Sequence, residues 1–233
     1  MLTRRHLAVL TVAALAAAAP IATASAAVTP AAPAPAAAGW VLSLAGPATP
    51  PALAGDNVSA TLQTGTTLRL LDAGSGLGLT CKASAWKGVV TSNPTLPGIA
   101  AIQVLSLTIS LCTDTNTNVT GLTSVVVTGL PEPLTVNGTS FALTFPLSAS
   151  TPLTITENVL AGSTPIACVY HAGPPPTTGM TAYGMLPWTF TNQPFILVSG
   201  VMGPCGATTS DLFSASYLPV NDNTPTTQPI FVN

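Results

Sequence analysis

Prolines and glycines interrupt this chain so often that its sequence favours short strands and turns. The 233 residues include 23 prolines and 19 glycines, and nearly every gap between two apolar runs holds one of them, an Asn or an Asp. Proline breaks helix interiors and central strands, whereas glycine adopts the backbone angles that tight turns need. No uninterrupted helical pattern remains beyond the N-terminus, so we expect a fold built from strands.

The apolar runs alternate with a period of two, as strands with one buried face do. In LGLTCKASA (77–85), the leucines and Cys81 share one face, and Thr80 and Lys82 lie on the other. About a dozen such runs follow one another along the chain, separated by turn residues. We predict an all-β fold, an antiparallel β-sandwich of Ig-like or jelly-roll-like type.

The run AIQVLSLTISLC (101–112) alternates as well, but its final cysteine falls out of phase. Leu105, Ile109 and Leu111 belong to the apolar face, so Cys112 falls on the polar face. Either the strand ends or bulges at Leu111, or the side chain of Cys112 lies on the outer side of the sheet. The pattern leaves both alternatives open.

The N-terminus has the three parts of an export signal. Arg4 and Arg5 supply positive charge, residues 7–19 are apolar, and the small residues at 24–26 (ASA) form a cleavage site. We predict a signal peptide over 1–26 and a secreted protein, extracellular or associated with the cell surface. A Sec signal is favoured, and the twin-arginine route is the alternative.

A spacer and a folded region follow the predicted signal peptide. Residues 27–39 are rich in Pro and Ala and carry no charge, which predicts an extended, disordered linker. Residues 40–233 form either one β-sandwich domain or two subdomains split near residue 150. No run after the signal reaches the roughly 18 apolar residues that a membrane helix needs, so we predict no transmembrane helix.

The four cysteines are typical of two disulfides in an exported protein. Among the three pairings that four cysteines allow, we favour Cys81–Cys112 and Cys168–Cys205, because each pair brackets two strand-like runs. The cysteines lack the C-x-x-C spacing of a zinc site, so we predict no metal there.

Charge excludes two classes of partner. After signal removal, the three basic residues Arg69, Lys82 and Lys87 stand against seven acidic ones, which gives a formal net charge of −4. Three cations cannot neutralise a row of phosphates, so we predict no nucleic-acid binding. The same argument excludes attachment to a membrane surface through a polybasic segment.

Catalytic and metal-binding motifs are absent. His171 is the one histidine after the signal, and no G-x-S-x-G motif accompanies it. The run DTNTN (114–118) begins like a calcium loop, but Val119 stands where that loop needs Gly, so an Asx-rich turn is favoured. The carboxylates fall in no motif, although a glycosidase needs only two that converge. We therefore predict no enzymatic activity, no catalytic residue, no cofactor and no metal.

Trp86 is a weak candidate for a binding residue. It falls on the polar face of its strand, beside Lys87. An exposed Trp there would be a platform for sugar stacking or a hot spot for a protein partner. A Trp covered by the opposite sheet would belong to the core, which is the favoured interpretation.

Five stretches carry a resemblance to known proteins. They are TSNPTLPG (91–98), the Leu-rich strand that runs into Cys112, IACVYHAG (166–173), FTNQPFILVSG (190–200) and DLFSASYL (211–218). Together they resemble a group of small exported actinobacterial proteins of unknown function with four cysteines, over about residues 75–233. The resemblance implies an exported, disulfide-bonded and β-rich protein, and it implies no catalytic residues.

These observations favour a non-enzymatic extracellular or cell-envelope β-domain with a structural or adhesive role. Thr-rich edge strands would support association with the cell wall or with other copies. The alternative is a secreted carrier that binds a small apolar ligand between its sheets, because apolar residues exceed what one sandwich core needs. A second alternative is an envelope β-barrel, although 5% aromatic residues are few for two aromatic girdles.

Overall fold

Antiparallel strands make up the regular structure of the described residues. The structure is a computed structural model that describes residues 39–46, 49–145, 151–174, 180–181 and 184–233. The strands are β1 (Leu42–Leu44), β2 (Asn57–Leu62), β3 (Leu68–Asp72), β4 (Gly78–Ser92), β5 (Ile99–Asp114), β6 (Gly121–Thr128), β7 (Glu132–Asn137), β8 (Leu143–Thr144), β9 (Thr154–Ala161), β10 (Thr164–Ala172), β11 (Met180–Thr181), β12 (Trp188–Ser199), β13 (Ser210–Asp222) and β14 (Gln228–Val232). The predicted all-β antiparallel fold is confirmed. The predicted signal peptide and nearly all of the predicted linker lie outside the described residues.

The strands are joined into one hydrogen-bonded network. Their main order is β6-β9-β10-β12-β13-β2-β4-β5-β7-β8. Beside this path, β3 pairs with both β13 and β4, β11 pairs with β12, and β14 joins β1 to β13. Strands β2 and β6 precede residue 150 and pair with β13 and β9, which follow it. The parts of the chain before and after residue 150 therefore share one sheet.

The sheet folds over on itself, so that strands from distant positions in it meet in the core. Trp86 of β4 and Trp188 of β12 pack with ring centroids 5.9 Å apart, although β13 and β2 separate their strands in the sheet. Tyr170 and Tyr217 are fully buried in the same core. Aromatic packing between the two layers gives the sandwich-like architecture its interior.

The longest strands, β4 and β5, form one long hairpin. They contain 15 and 16 residues and pair antiparallel along most of their length. The connection lies at residues 93–98, where the sequence has two prolines and a glycine. At the other end of the hairpin, Cys81 pairs directly with Cys112.

Leu111 explains how Cys112 reaches the inner side. Its backbone adopts a φ of +55°, and its side chain is 71% exposed. The ladder continues on both sides of it, from Ala83–Ser110 to Cys81–Cys112, while Lys82 and Leu111 both point to solvent. The strand therefore continues through a local irregularity, and Cys112 turns toward the core. The register does not shift at Leu111 and β5 runs on to Asp114, so the strand neither ends nor bulges there, and Cys112 is half-buried beside the fully buried Cys81.

The two disulfides join the predicted partners. Cys81–Cys112 links two neighbouring strands, with Cα atoms 3.9 Å apart. Cys168–Cys205 links β10 to the loop that connects β12 and β13, with Cα atoms 5.4 Å apart. The Tyr170 hydroxyl donates a 2.9 Å hydrogen bond to the carbonyl oxygen of Cys205 and attaches the same loop to β10 a second time.

We expect removal of the Cys168–Cys205 disulfide to destabilise the fold strongly. The bond spans 37 residues, and closing a loop of that length stabilises a folded chain by about 4 kcal/mol through the unfolded state. Urea unfolding of the Cys168→Ala/Cys205→Ala variant measures the loss, with chemically reduced wild-type protein as the comparison. Equal unfolding midpoints for the variant and the oxidised wild type would contradict this expectation.

Candidate functional site

The carboxyl groups lie inside the fold. None of the seven is exposed: Asp114 is half-buried, and the other six are buried. Those six are Asp56, Asp72, Glu132, Glu157, Asp211 and Asp222. A buried charge is costly unless it is paired or hydrogen-bonded, so the surroundings of each carboxyl group determine its protonation.

Three carboxyl groups form an acidic cluster at one end of the folded sheet: Asp114, Glu157 and Asp211. Asp114 ends β5, Glu157 lies on the inner face of β9, and Asp211 lies near the start of β13. The side chain of Glu157 lies beside that of Asp114 and within the electrostatic reach of Asp211. No N–H or O–H among the described residues donates to either carboxylate oxygen of Glu157 or of Asp211.

Burial makes this cluster hold protons. It raises the pKa of Glu157 well above its usual value, and the negative charges of Asp114 and Asp211 raise it further. Burial also raises the pKa of Asp211 to about 7, with a smaller effect from Asp72 and Asp114. The pKa of Asp114 is raised by burial too, in spite of hydrogen bonds from Asn116. Near neutral pH the cluster therefore retains protons that isolated carboxyl groups lose.

Asp72 lies near the cluster and behaves in the opposite way. Burial alone would raise its pKa, but hydrogen bonds from Thr208 and Ser75 outweigh burial and hold the pKa at about 2. Its Oδ2 accepts from the Thr208 backbone N–H at 2.6 Å and from the Thr208 hydroxyl at 2.7 Å. Its Oδ1 accepts from the Ser75 N–H at 2.6 Å. Asp72 thus remains ionised and ties two loops together.

Two members of the cluster, Glu157 and Asp211, are closed to solvent. Asp114 and Glu157 do form a converging pair of the kind that the sequence left open, but Glu157 has no solvent-exposed surface. A substrate in solution therefore has no access to it. His171 is half-buried on β10, and its imidazole forms no hydrogen bond or ion pair among the described residues.

The residues that resembled a calcium loop form an Asx turn. The Asn116 N–H donates to Asp114 Oδ1 at 2.7 Å, which closes the turn after β5. Among the described residues, no group of three or more His, Cys, Asp or Glu side chains is placed to hold a metal ion.

Trp86 belongs to the core. Its side chain is 4% exposed and packs against Trp188, so its ring is not available as a platform for a partner in solution. It lines an apolar cavity of about 30 Å³ together with Phe190, Phe195 and Tyr217. Small-molecule sites usually measure about 300–1,000 Å³, so this cavity gives no support to a carrier of drug-sized ligands.

A polar groove crosses the outer faces of β3, β13 and β12. Its volume is about 440 Å³, and it contains one guanidinium and six hydroxyl groups. We call it the hydroxyl groove; these polar residues are Thr66, Thr67, Arg69, Thr189, Thr191, Ser214 and Ser216. They come from three distant segments of the chain, and for that reason no short motif in the sequence indicated them.

The exposed charges of the described residues are all positive. Arg69, Lys82 and Lys87 are exposed, and no carboxyl group is. None of these three cations forms an ion pair within the described part of the chain. The formal negative charge of the sequence therefore does not describe its surface, which presents Ser and Thr hydroxyls and a few cations.

Two strand edges face each other without pairing. Residues 109–112 of β5 and 122–125 of β6 flank a cleft of about 260 Å³. Among the described residues, no ladder joins β5 to β6, so residues 105–112 of β5 have a ladder partner on one side only. These edges contain no Pro, Lys, Arg, Asp or Glu, the residues that usually block strand addition.

Comparisons with known proteins do not indicate a function, so the function is inferred from the geometry described above. No family model matches the chain, and no curated protein or solved structure is significantly similar to it. A search of the described residues finds no helix with the length and apolar character that a membrane crossing requires.

We expect the free energy of unfolding to be greatest near a pH of about 4. Unfolded carboxyl groups ionise at about pH 4, whereas folded Asp211 keeps its proton up to about pH 7. The stabilisation from Asp211 is therefore complete below pH ~4 and is lost as the pH rises to about 7. Asp72 acts in the opposite sense, because its pKa of about 2 means that its stabilisation is lost as the pH falls from about 4 to about 2.

Urea unfolding of the wild type and of Asp211→Asn across this pH range tests the assignment. The neutral Asn cannot ionise, so the decline above pH ~4 should shrink by an amount on the order of 2–4 kcal/mol. A decline remains from the other carboxyl groups with raised pKa values: Glu157 and Asp114 in the cluster, and Asp222, whose pKa is raised to about 6 by burial and by Asp56. An undiminished decline in the Asp211→Asn variant would refute the role of Asp211.

Proposed function

We propose that this chain is an exported, non-catalytic β-domain of the cell envelope that adheres to hydroxyl-rich polymers. The observation that carries the proposal is the surface itself: no exposed carboxyl group, three exposed cations, and outward-facing Ser and Thr side chains. The export signal predicted at the N-terminus and the two disulfides support a location outside the cytoplasm.

A hydroxyl-rich sheet surface suits a polysaccharide partner. Each Ser or Thr hydroxyl provides one donor and two acceptor positions, as sugar hydroxyls do. Thr side chains are short and stiff at χ1, so less conformational entropy is lost on binding than with Lys or Glu side chains. On β6 and β9, Thr128 and Thr154 are cross-strand neighbours, which gives hydroxyls at fixed spacing.

The position of the acids supports a non-catalytic role. Hydrolysis of a glycosidic bond needs two carboxyl groups at a site that the substrate reaches. In this fold the carboxyl groups of the described residues are turned inward, and the converging pairs Asp114–Glu157 and Asp56–Asp222 each include a fully buried member, Glu157 or Asp222. Retention of a polymer, without its cleavage, is therefore the better supported activity.

Cosedimentation with insoluble cell-wall polysaccharide tests this function. We expect folded protein that begins near residue 27 to be depleted from the supernatant, and to remain largely bound at high salt because most contacts are uncharged hydrogen bonds. Disulfide-reduced, unfolded protein serves as the control for nonspecific trapping. Folded protein that stays in the supernatant would exclude the adhesive function.

Self-association is a second candidate function, favoured by the unpaired edges of β5 and β6. An uncharged edge without Pro offers its backbone N–H and C=O groups to a strand from another copy. Leu105 and Leu111 on β5 are 49% and 71% exposed, so strand addition would also cover apolar surface. Such association would strengthen adhesion by presenting several binding surfaces at once.

We expect oligomers that grow with protein concentration and that depend on the β5 edge. Ser110→Lys places a charge on that edge, where Ser110 is exposed, and should shift the protein toward monomer. Thr61→Lys adds the same charge to exposed Thr61 on β2, which is paired on both sides, and should leave association unchanged. Light scattering after size exclusion measures both variants, and a strictly monomeric wild type would eliminate self-association.

A further inference from the structure

The hydroxyl groove is assembled where three segments of the fold meet. Ser214 of β13 pairs with Arg69 of β3, and Ser216 of β13 pairs with Thr189 of β12. Between these positions Ala215 is buried, so Ser214 and Ser216 alternate with it and face outward. The outer faces of three adjacent strands thereby bring their polar side chains to one open surface.

We infer that the hydroxyl groove binds a chain of an acidic polysaccharide, with Arg69 pairing with a sugar carboxylate and the Ser and Thr hydroxyls bonding to sugar hydroxyls. The inference rests on the proposed adhesive function and names the polymer class and the site that recognises it. It assigns a role to residues that neither the charge balance nor any sequence motif indicated.

Arg69 is oriented and available for an anion. Its Nε donates a 3.2 Å hydrogen bond to the hydroxyl of Thr67, which fixes the direction of the guanidinium. Its two terminal nitrogens form no hydrogen bond or ion pair with the described residues. A guanidinium presents parallel N–H donors that match a carboxylate, and here the protein's own carboxyl groups are turned inward and do not compete.

The surrounding hydroxyls retain hydrogen-bonding capacity. The Thr189 hydroxyl donates to the carbonyl oxygen of Pro187 at 3.4 Å, so the Ser216 hydroxyl donates to Thr189 at 3.2 Å and keeps its acceptor positions for a ligand. Thr191 is exposed and its hydroxyl makes no hydrogen bond among the described residues. A volume of about 440 Å³ lies within the usual range of ligand sites and accommodates a short stretch of sugar rings.

A second cation lies next to the groove. Leu68 pairs with Cys81, so continuing this register sets Lys82 across from Thr67 at the groove margin. Lys82 is exposed, and neighbouring strands lie about 5 Å apart. A polymer that leaves the groove across β3 would therefore meet a second positive charge, which favours a repeating acidic chain over a neutral one.

The same features argue against a phosphate polymer. Tight binding of a phosphate chain depends on many cations in a row, because counterion release supplies its affinity. The groove has one cation inside and one at its margin, whereas six hydroxyls line it. Most polar groups of the groove are therefore hydroxyls, which form hydrogen bonds with sugar hydroxyls.

Calorimetric titration with a hexamer of galacturonic acid tests the inference. The wild type should bind this probe at least tenfold more tightly than the uncharged hexamer of galactose, and more tightly than a polyphosphate of equal charge. Arg69→Gln should weaken binding of the acidic hexamer about tenfold or more, since a charge-assisted bidentate pair is lost. Lys87→Gln, the matched control, removes the same charge at a position outside the groove and should change affinity less than twofold.

A second variant tests the hydroxyls separately from the charge. Thr191→Val with Ser216→Ala keeps Arg69 and removes two hydroxyl groups, and should weaken the acidic hexamer severalfold. Thermal unfolding of each variant verifies that the fold is retained. Equal losses in Arg69→Gln and Lys87→Gln, or equal affinity for polyphosphate or the neutral hexamer, would overturn the inference.

Wall cosedimentation with Arg69→Gln separates this inference from the proposed function. If the wild type is retained by the wall but does not bind the acidic hexamer, the groove assignment fails and the adhesive function stands. If neither the wall nor the hexamer binds the wild type, both fail. Retention of the wild type combined with loss of hexamer binding in Arg69→Gln supports both.

Discussion

Glu157 lies on the inner face of β9 between Ile155 and Val159, and no N–H or O–H donates to its carboxylate. A carboxyl group in such a position is tolerated because burial raises its pKa and favours the protonated form, and burial also raises the pKa of Asp114 and of Asp211 beside it. Their inward orientation imposes a pH dependence on the core. It also leaves the outer surface without exposed negative side chains. The buried acids therefore determine how stability depends on pH, and the exposed cations keep no acidic partner on the surface.

The outer surface shows the other consequence of this arrangement. A sheet with both charge signs on its surface satisfies its cations locally through cross-strand pairs. Among the described residues, the guanidinium of Arg69 has only the hydroxyl of Thr67 as a partner, so it remains available to an external anion. Ser214 and Ser216, at alternate positions of β13, add their hydroxyls to the same outer surface as Arg69.

The alternation of apolar residues was sufficient to predict the strands and the cysteine pairs, because both depend on local pattern and order along the chain. It did not decide the side of Cys112, since the φ of +55° at Leu111 is imposed by the hairpin and not by that residue's own preference. The burial of Glu157 could have been predicted from the sequence, because in TITENVL (154–160) it lies on the same strand face as Ile155 and Val159. The hydroxyl groove was not, because Arg69, Thr189 and Ser214 become neighbours only through the order of strands in the sheet.

The separation of buried acids from exposed cations also determines how pH acts on the molecule. The stability of the core declines as the pH rises from about 4 to about 7, because Asp211 keeps a proton in the fold that it loses in the unfolded chain. When the acidic cluster ionises, its negative charge is added beneath the surface. Arg69 lies on the outer face of β3, apart from these buried acids. An acidic medium therefore favours the fold and leaves the groove cationic, until sugar carboxylates themselves gain protons. Stability and adhesion are thus compatible over a mildly acidic range, and they diverge above it because only stability declines.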